Sequence, residues 1–439
     1  MRITKIDKAQ TFSSTINTIA ADKSISHRCA IFSLLCDGVC EVENYLLGED
    51  TLHTLKIAFQ LGLEVEHISS TCMRFIPPKD GIVEPSDVLD CGNAGTGMRL
   101  YAGLLAGVQG YFVLSGDMYL NKRPMKRIIE PLTNIGAKIY GRCHNSLAPL
   151  SIIGRELQGF SYISNIASAQ VKSAMILAGL YGNARNTFSE PLLSRDHTER
   201  MLGGMGVEFR THHDSNGIHI SFDPLPKGKK LHAFKMRIPA DPSSAFYFAL
   251  AACIVPDSHV VLENVLLNPT RIEAFEILKK MGAKISYTRK DSQYEDIGDI
   301  EVRYAPLSAI EVAHNIAWLI DEIPALSIAF ACAKGKSIVR NAKELRVKES
   351  DRITTTIEGL RAMGIECEEF EDGFSVQGGE LKRASVDSQG DHRIAMSFAI
   401  AGLVCGVEIR DSACIDVSFP NFLEILLQFT RVESTQTHS

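Results

Sequence analysis

Cations recur in this chain where a helix is about to begin. Lys23, His27 and Arg28 open one apolar run, Arg99 a second and Lys172 a third, while Lys122, Arg123, Lys126, Arg127 and Arg195 fall in the intervening loops. Arg346, Lys348, Arg352 and Arg393 repeat the arrangement farther along. A helix N-terminus presents unbonded N–H groups and the positive end of its dipole, which makes it a ready anion site. Cations added there suit a small, multiply charged anion, since each charge-assisted hydrogen bond contributes about 1.5–3 kcal/mol. Carboxylates share these segments: Asp321 opens one run, and Glu349 and Asp351 alternate with Lys348 and Arg352. A lysine and carboxylates beside a held anion can move protons. Plainer readings stand next to these. Asp321 and Asn93 could be N-caps, Glu349 and Asp351 surface partners of the neighbouring cations, and Gly95 a tight-turn residue rather than a point of close backbone approach.

The elements that must position these residues form a repeat. Six mostly apolar segments follow polar or small openings, at 23–35, 93–107, 168–180, 241–252, 321–335 and 390–403. Being apolar on nearly all faces, they read as buried helices, whereas 50–61 is amphipathic and should lie outside. A second series interleaves with the first: an apolar residue and a glycine close a helical pattern before a β-like run, at Gly62, Gly136, Gly206, Gly282 and Gly364. Successive spacings are 74, 70, 76 and 82 residues. Glycine at each of these points suits a left-handed residue just past a helix C-terminus. Each unit of about 73 residues should then hold two helices and about four short strands, and six units nearly exhaust the chain. The polar tail after Phe429 is expected to fray.

Composition limits the function. The 439 residues are 45% hydrophobic and 22% charged, which excludes a disordered or collagen-like chain. A net charge of −6 argues against a dedicated nucleic-acid binder, although local basic clusters remain. The longest apolar stretches, such as 245–255, fall short of the ~20 residues of a membrane span, and the N-terminus has no signal-like apolar run. Eleven scattered cysteines without a C-x-x-C pair read as reduced, mostly buried thiols. His212, His213 and His219 fall in a polar hairpin without partners at metal spacing, so no metal site is expected there. The expected setting is soluble and cytoplasmic.

Nine stretches then carry a resemblance along essentially the whole chain: DKSISHR (22–28), GNAGTGMRL (92–100), KRPM (122–125), SAQVKSA (168–174), SRDHTERML (194–202), DPSSA (241–245), DEIPAL (321–326), LRVKESDRI (345–353) and DHRIAMSF (391–398). In this order they resemble the 5-enolpyruvylshikimate-3-phosphate synthase family, in forms that look like its second class. The resemblance implies transfer of the carboxyvinyl group of phosphoenolpyruvate to the 5-hydroxyl of shikimate 3-phosphate, through a tetrahedral ketal, with release of phosphate and no metal or organic cofactor. It places the shikimate 3-phosphate site on Lys23, Ser24, Arg28, Ser168, Ala169, Gln170, Arg195, Asp321 and Lys348, with Arg195 on the 3-phosphate. Phosphoenolpyruvate contacts carry over to Lys23, Gly95, Arg123, Gln170, Arg352 and Arg393. Asp321 becomes the base on the hydroxyl, Glu349 and Lys23 the candidates for proton traffic at the methylene, and His392 a weaker one.

The family's fold is an inverse α/β arrangement of two lobes, each of three units, with the buried helices' N-termini facing an inter-lobe cleft. The expected lobes are 21–240, and 1–20 with 241–439, closing on ligand. The expected partners are the two substrates, with glyphosate as competitor, no nucleic acid, no membrane, and a monomeric chain. Two departures bear on this. Val417 stands before the Ser-Phe-Pro motif where first-class members place a lysine, so no cation is assigned there. Gly95 stands where glyphosate-tolerant second-class enzymes tend to have alanine, so tolerance does not follow from class. The rival readings are the related enolpyruvyl transferase acting on UDP-N-acetylglucosamine and a non-catalytic repeat scaffold that binds anions. The first usually has a reactive cysteine in the loop before its Arg-Pro, and residues 116–125 have none. The second would not need Lys23, Asp321 and Glu349 together.

Overall fold

Five glycines show how the repeat is built. Gly62, Gly136, Gly206, Gly282 and Gly364 all have positive φ, between 83° and 111°. After each, an apolar residue turns its N–H back to a carbonyl in the last helical turn. The bonds are Leu63 to Ala58 (3.0 Å), Ala137 to Leu132 (3.1 Å), Val207 to Leu202 (3.0 Å), Ala283 to Leu278 (2.9 Å) and Ile365 to Leu360 (3.0 Å). This is the Schellman arrangement, which satisfies orphan carbonyls while reversing the chain into the next strand.

The computed structural model describes residues 1–290 and 292–436. Twelve helices carry the repeat: α1 Lys23–Ser33, α2 Glu49–Gln60, α3 Gly95–Ala106, α4 Lys126–Asn134, α5 Ala169–Gly179, α6 His197–Gly204, α7 Pro242–Ile254, α8 Glu273–Lys280, α9 Ile323–Cys332, α10 Arg352–Ala362, α11 His392–Cys405 and the short α12 Phe422–Leu426. The odd-numbered helices are buried almost throughout, as their apolar composition requires. Their even-numbered partners bury one face; α2, for example, buries Thr54, Leu55, Ile57 and Ala58.

Six four-stranded sheets complete the units, and each has the same pattern of one parallel and two antiparallel pairings. The chain falls into two compact units. One holds Ala21–Ile238 with Gln293–Glu295, and the other holds Met1–Ala20 and the chain from Pro239 onward apart from those three residues. Each unit contains three sheets and six of the helices. In the second unit Phe248 on α7 meets Phe419, Phe422 and Phe429 with ring centroids 5.6–5.9 Å apart, which fastens the last repeat to a buried helix.

Side-chain caps begin several of these helices. Asp22 accepts from Ile25 N–H at 2.8 Å, Asp241 from Ser243 at 2.8 Å, Asp391 from Arg393 at 2.8 Å, and Ser168 from Val171 at 3.5 Å. Two cap readings and the expectation for the tail need correction. Asn93 caps nothing: Ala94 holds the N-cap position of α3, and the Asn93 amide is engaged by Arg123 and Asp117. Glu322, not Asp321, precedes α9, which leaves the Asp321 carboxylate for Arg352. As far as Gln436 the tail is not frayed but paired in a sheet. Val432–Gln436 forms an edge strand antiparallel to Arg2–Ile6, from Ile6 opposite Val432 to Arg2 opposite Gln436, and Thr4 and Ser434 hydroxyls meet at 2.9 Å. Its polar residues suit a strand exposed at a sheet edge. Residues 437–439 lie outside the described residues.

All eleven cysteines are free thiols. Cys29, Cys36, Cys40, Cys91 and Cys253 are buried, Cys143 is exposed and the other five are partly covered. No helix among the described residues is long and apolar enough to cross a membrane.

Candidate active site

In the 21–238 unit, the first turns of α1, α3 and α5 carry Lys23, Gly95 and Gln170. Lys23 is ion-paired through Nζ with Asp50 at the start of α2. Burial alone would raise the Asp50 pKa, but Lys23, with help from His27 and Arg123, holds it below the ordinary value. His27 lies beneath this pair with Nδ1 2.7 Å from the Thr54 hydroxyl. Burial, reinforced by Lys23, lowers its pKa to about 3, so the ring is neutral at pH 7.

Around the start of α3, Arg123 donates from Nη2 to Asn93 Oδ1 at 2.7 Å, and Asn93 Nδ2 donates to Asp117 at 3.0 Å. Arg99 donates to Gln170 Oε1 at 2.7 Å, while Gln170 Nε2 donates to the Thr96 hydroxyl at 3.1 Å. The Gln170 amide is thereby fixed between α3 and its own helix. Gly95 keeps this corner open: a Cβ there would lie 3.0 Å from Arg99 Nη1 and 3.3 Å from Arg123 Nη1. Arg28 is turned inward. It donates to the Ser24 carbonyl, the Ser173 hydroxyl and the Thr198 hydroxyl, each at 2.9 Å, and so ties α1 to α5 and α6. Ser168 and Ala169 open α5, and Arg195 lies in the loop immediately before α6.

The other unit gathers carboxylates around one guanidinium. Arg352, at the start of α10 and 2% exposed, donates from Nε to Asp391 at 2.8 Å and from Nη2 to Glu349 at 2.6 Å, with Asp321 3.4 Å from Nη1. Burial alone would lower the Arg352 pKa, but Glu349, Asp391 and Asp321 raise it, so the cation is fixed. The same pair explains Asp391, whose pKa burial would raise and Arg352 lowers. Arg393, on α11, is likewise pushed up by Tyr247, Asp321, Glu322 and Asp241 against the effect of burial. Tyr247 itself is raised to about 12 by burial, with Arg393 opposing. His392 is lowered to about 4, first by burial and then by Arg393, so it is a neutral ring at pH 7. Lys348 pairs with Glu344 at 3.3 Å, and Asp351 caps α10 and meets Arg346 at 2.8 Å instead of pairing with Lys348 or Arg352.

The structure thus gathers Lys23, Gly95, Arg123 and Gln170 in one unit, and Asp321, Glu349 and Arg352 in the other. Sequence reasoning missed the groups that orient them. Asn93, Arg99 and Asp391 lie inside the motifs and Asp50 opens the amphipathic run, but no orienting role could be read there because their partners are 27 to 71 residues away in Asp50–Lys23, Asn93–Arg123, Asp391–Arg352 and Arg99–Gln170. Among the described residues no three His, Cys, Asp or Glu side chains gather as a metal ion would need. His219 is instead bonded to Ser189 at 2.7 Å and Asp214 at 3.0 Å.

Comparison with known proteins adds an independent line. The family model for EPSP synthase (3-phosphoshikimate 1-carboxyvinyltransferase) matches residues 6–426. The chain is 65% identical over 436 residues to a 3-phosphoshikimate 1-carboxyvinyltransferase of Helicobacter hepaticus, covering 99% of both chains. It is 58% identical to that of Sulfurimonas denitrificans over 435 residues, covering 99% of this chain and 100% of the relative. Among solved structures, an EPSP synthase from Acinetobacter baumannii superposes with a TM-score of 0.89 at 37% identity, over 99% of this chain and 100% of that one. With six repeated sheets, a family match over residues 6–426 and relatives that cover nearly the whole chain, the chain belongs to the EPSP synthase family.

Proposed function

We propose that this chain performs its family's reaction with the residues gathered above, moving the carboxyvinyl group of phosphoenolpyruvate to the 5-hydroxyl of shikimate 3-phosphate. The observation that carries the assignment of roles is the Arg352 guanidinium, which spans Asp321 at 3.4 Å and Glu349 at 2.6 Å. A fixed cation that binds an anionic substrate thereby has two carboxylates at its edges, where protons must move. In the addition step the hydroxyl oxygen bonds to C2 of phosphoenolpyruvate, Asp321 takes the hydroxyl proton, and C3 gains a proton from Glu349 or Lys23. The ketal then loses phosphate as C3 returns a proton, which restores the double bond on the transferred group. Every bond made and broken is accounted for by acid–base chemistry of side chains in this chain.

Shikimate 3-phosphate is assigned to Lys23, Ser24, Arg28, Ser168, Ala169, Gln170, Arg195, Asp321 and Lys348. Phosphoenolpyruvate is assigned to Lys23, Gly95, Arg123, Gln170, Arg352 and Arg393, and glyphosate competes with it. Arg28, with three donors turned inward, also fixes Ser24, α5 and α6. The protein works as a cytoplasmic monomer. The test is phosphate release from phosphoenolpyruvate with either shikimate 3-phosphate or UDP-N-acetylglucosamine as acceptor. Release with the first alone is expected; release only with the second, or tight binding without release, would overturn the reading.

A further inference from the structure

Lys172 stands out among the charged groups that the reaction does not use. It is fully buried on α5, one turn after Ser168 and two residues after Gln170. Its Nζ lies 2.8 Å from Glu190 Oε1 and 2.8 Å from Glu199 Oε1. Burying one ammonium and two carboxylates is costly, and replacing such a group by apolar residues is often neutral or stabilising. Stability alone is therefore a poor reason for the arrangement.

The remaining bonds show what the group holds. Lys172 Nζ donates to the Ser194 carbonyl at 3.1 Å, and Ser194 N–H donates to Glu190 Oε1 at 2.9 Å. Both peptide groups of one loop residue are thus pinned by the two halves of one buried ion pair. That residue immediately precedes Arg195. On the far side of Arg195, Thr198 is held by Arg28 at 2.9 Å and by Ser173 at 2.7 Å, and Ser173 is the neighbour of Lys172. Glu199 balances charge but makes no bond to Ser194.

We propose that the Lys172–Glu190 pair is a positioning device that presets Arg195 for the phosphate of the acceptor and so favours phosphorylated over unphosphorylated acceptor. A loop residue fixed in advance does not lose conformational entropy when the phosphate arrives. The proposal rests on the reading that Arg195 grips the 3-phosphate, and the experiment separates the two.

Glu190→Ala and Glu199→Ala each remove one carboxylate from the same triad and leave Lys172 a single carboxylate. Only the first takes away a direct bond to Ser194. Glu190→Ala is expected to raise KM for shikimate 3-phosphate at least tenfold, with KM for phosphoenolpyruvate within twofold. It is also expected to lower the preference for shikimate 3-phosphate over shikimate, in kcat/KM, by a similar factor. Glu199→Ala should leave both KM values within twofold, whatever its melting temperature does. Lys172→Arg, which keeps the charge and donors, should retain most of the preference. Equal effects of the two alanine variants on KM, or an unchanged preference in Glu190→Ala, would overturn the clamp. Should neither alanine variant fold, unchanged acceptor preference in Glu190→Gln together with lost preference in Lys172→Arg would overturn it. An Arg195→Gln variant with unchanged KM for shikimate 3-phosphate would instead refute the phosphate assignment itself.

Discussion

Adding a single methyl group at Gly95 should separate phosphoenolpyruvate binding from everything else the protein does. Gly95 is the first residue of α3 and is not among the positive-φ glycines, so alanine fits the backbone there without strain. Replacing glycine by alanine at a compatible site stabilises by about 0.4–1 kcal/mol through the unfolded chain. The cost falls on the side-chain surroundings. The new Cβ would stand 3.0 Å from Arg99 Nη1, 3.3 Å from Arg123 Nη1 and 3.5 Å from Leu120 Cδ1. Arg123 must yield by a few tenths of an ångström, yet its other end is anchored to Asn93 at 2.7 Å. Arg99 is similarly tied to Gln170 at 2.7 Å. An anion lodged between the helix N-terminus and Arg123 then loses about one charge-assisted hydrogen bond, or about 1.5–3 kcal/mol, which raises KM roughly tenfold to a hundredfold. Initial rates should be measured with each substrate varied against a saturating concentration of the other. Gly95→Ala should raise KM for phosphoenolpyruvate by that factor, leave KM for shikimate 3-phosphate within threefold, and keep or raise the melting temperature. Competition by glyphosate against phosphoenolpyruvate, expected in the parent chain, should weaken in parallel. An unchanged KM for phosphoenolpyruvate in a folded variant would refute the placement of that substrate beside Gly95 and Arg123.

Three other outcomes follow from the carboxylates and the buried rings. Asp321→Ala should lower kcat by about a hundredfold or more with both KM values within about threefold, as expected for loss of a general base; normal turnover would remove Asp321 from the mechanism. Arg352→Met leaves Asp391 buried without its main cation and should cost about 3–5 kcal/mol in urea unfolding, against a negligible loss if the cage were solvent-screened. Acidification below pH 6.5 should destabilise the protein in part through His27. Its folded pKa, near 3, lies below the unfolded value of 6.5, so only the unfolded chain takes up that proton in between. Stability from this group is complete above pH 6.5 and falls by up to about 1.4 kcal/mol per pH unit as pH drops toward 3. His27→Gln should flatten the slope of unfolding free energy between pH 6 and 5 by about that much; an identical slope would show that the ring is already charged in the folded state.

Regularity decided what could be read from the sequence. The five helix-ending glycines and six apolar runs are local patterns set by backbone geometry and burial, and the structure reproduces both series. The openings were legible as a class, since capping and dipole effects act within one turn. Individual caps were less so: Asn93 and Ala94 differ by one residue, and what moves the Asn93 amide away from α3 is Arg123, thirty residues downstream. The same holds for Asp50, Asp391 and Glu190. Each is an unremarkable acid in sequence and acquires its role from a cation on another element. The tail misled for a related reason. Residues 432–436 have no apolar pattern of their own, and their order comes from pairing with a strand that begins at residue 2.

That pairing bears on how the molecule is made. Strand Arg2–Ile6 is synthesised long before its two neighbours, Val407–Arg410 and Val432–Gln436. Ser13–Ile16 similarly waits for His259–Leu266. The Ala21–Ile238 unit, by contrast, draws nearly all its strands and helices from one continuous stretch. During vectorial synthesis this inserted unit can complete its sheets while the flanking one still lacks most of its chain, because pairing of distant segments must await the later partner. Birth order and sequence order therefore diverge: the half that holds strand Arg2–Ile6 is the last to close.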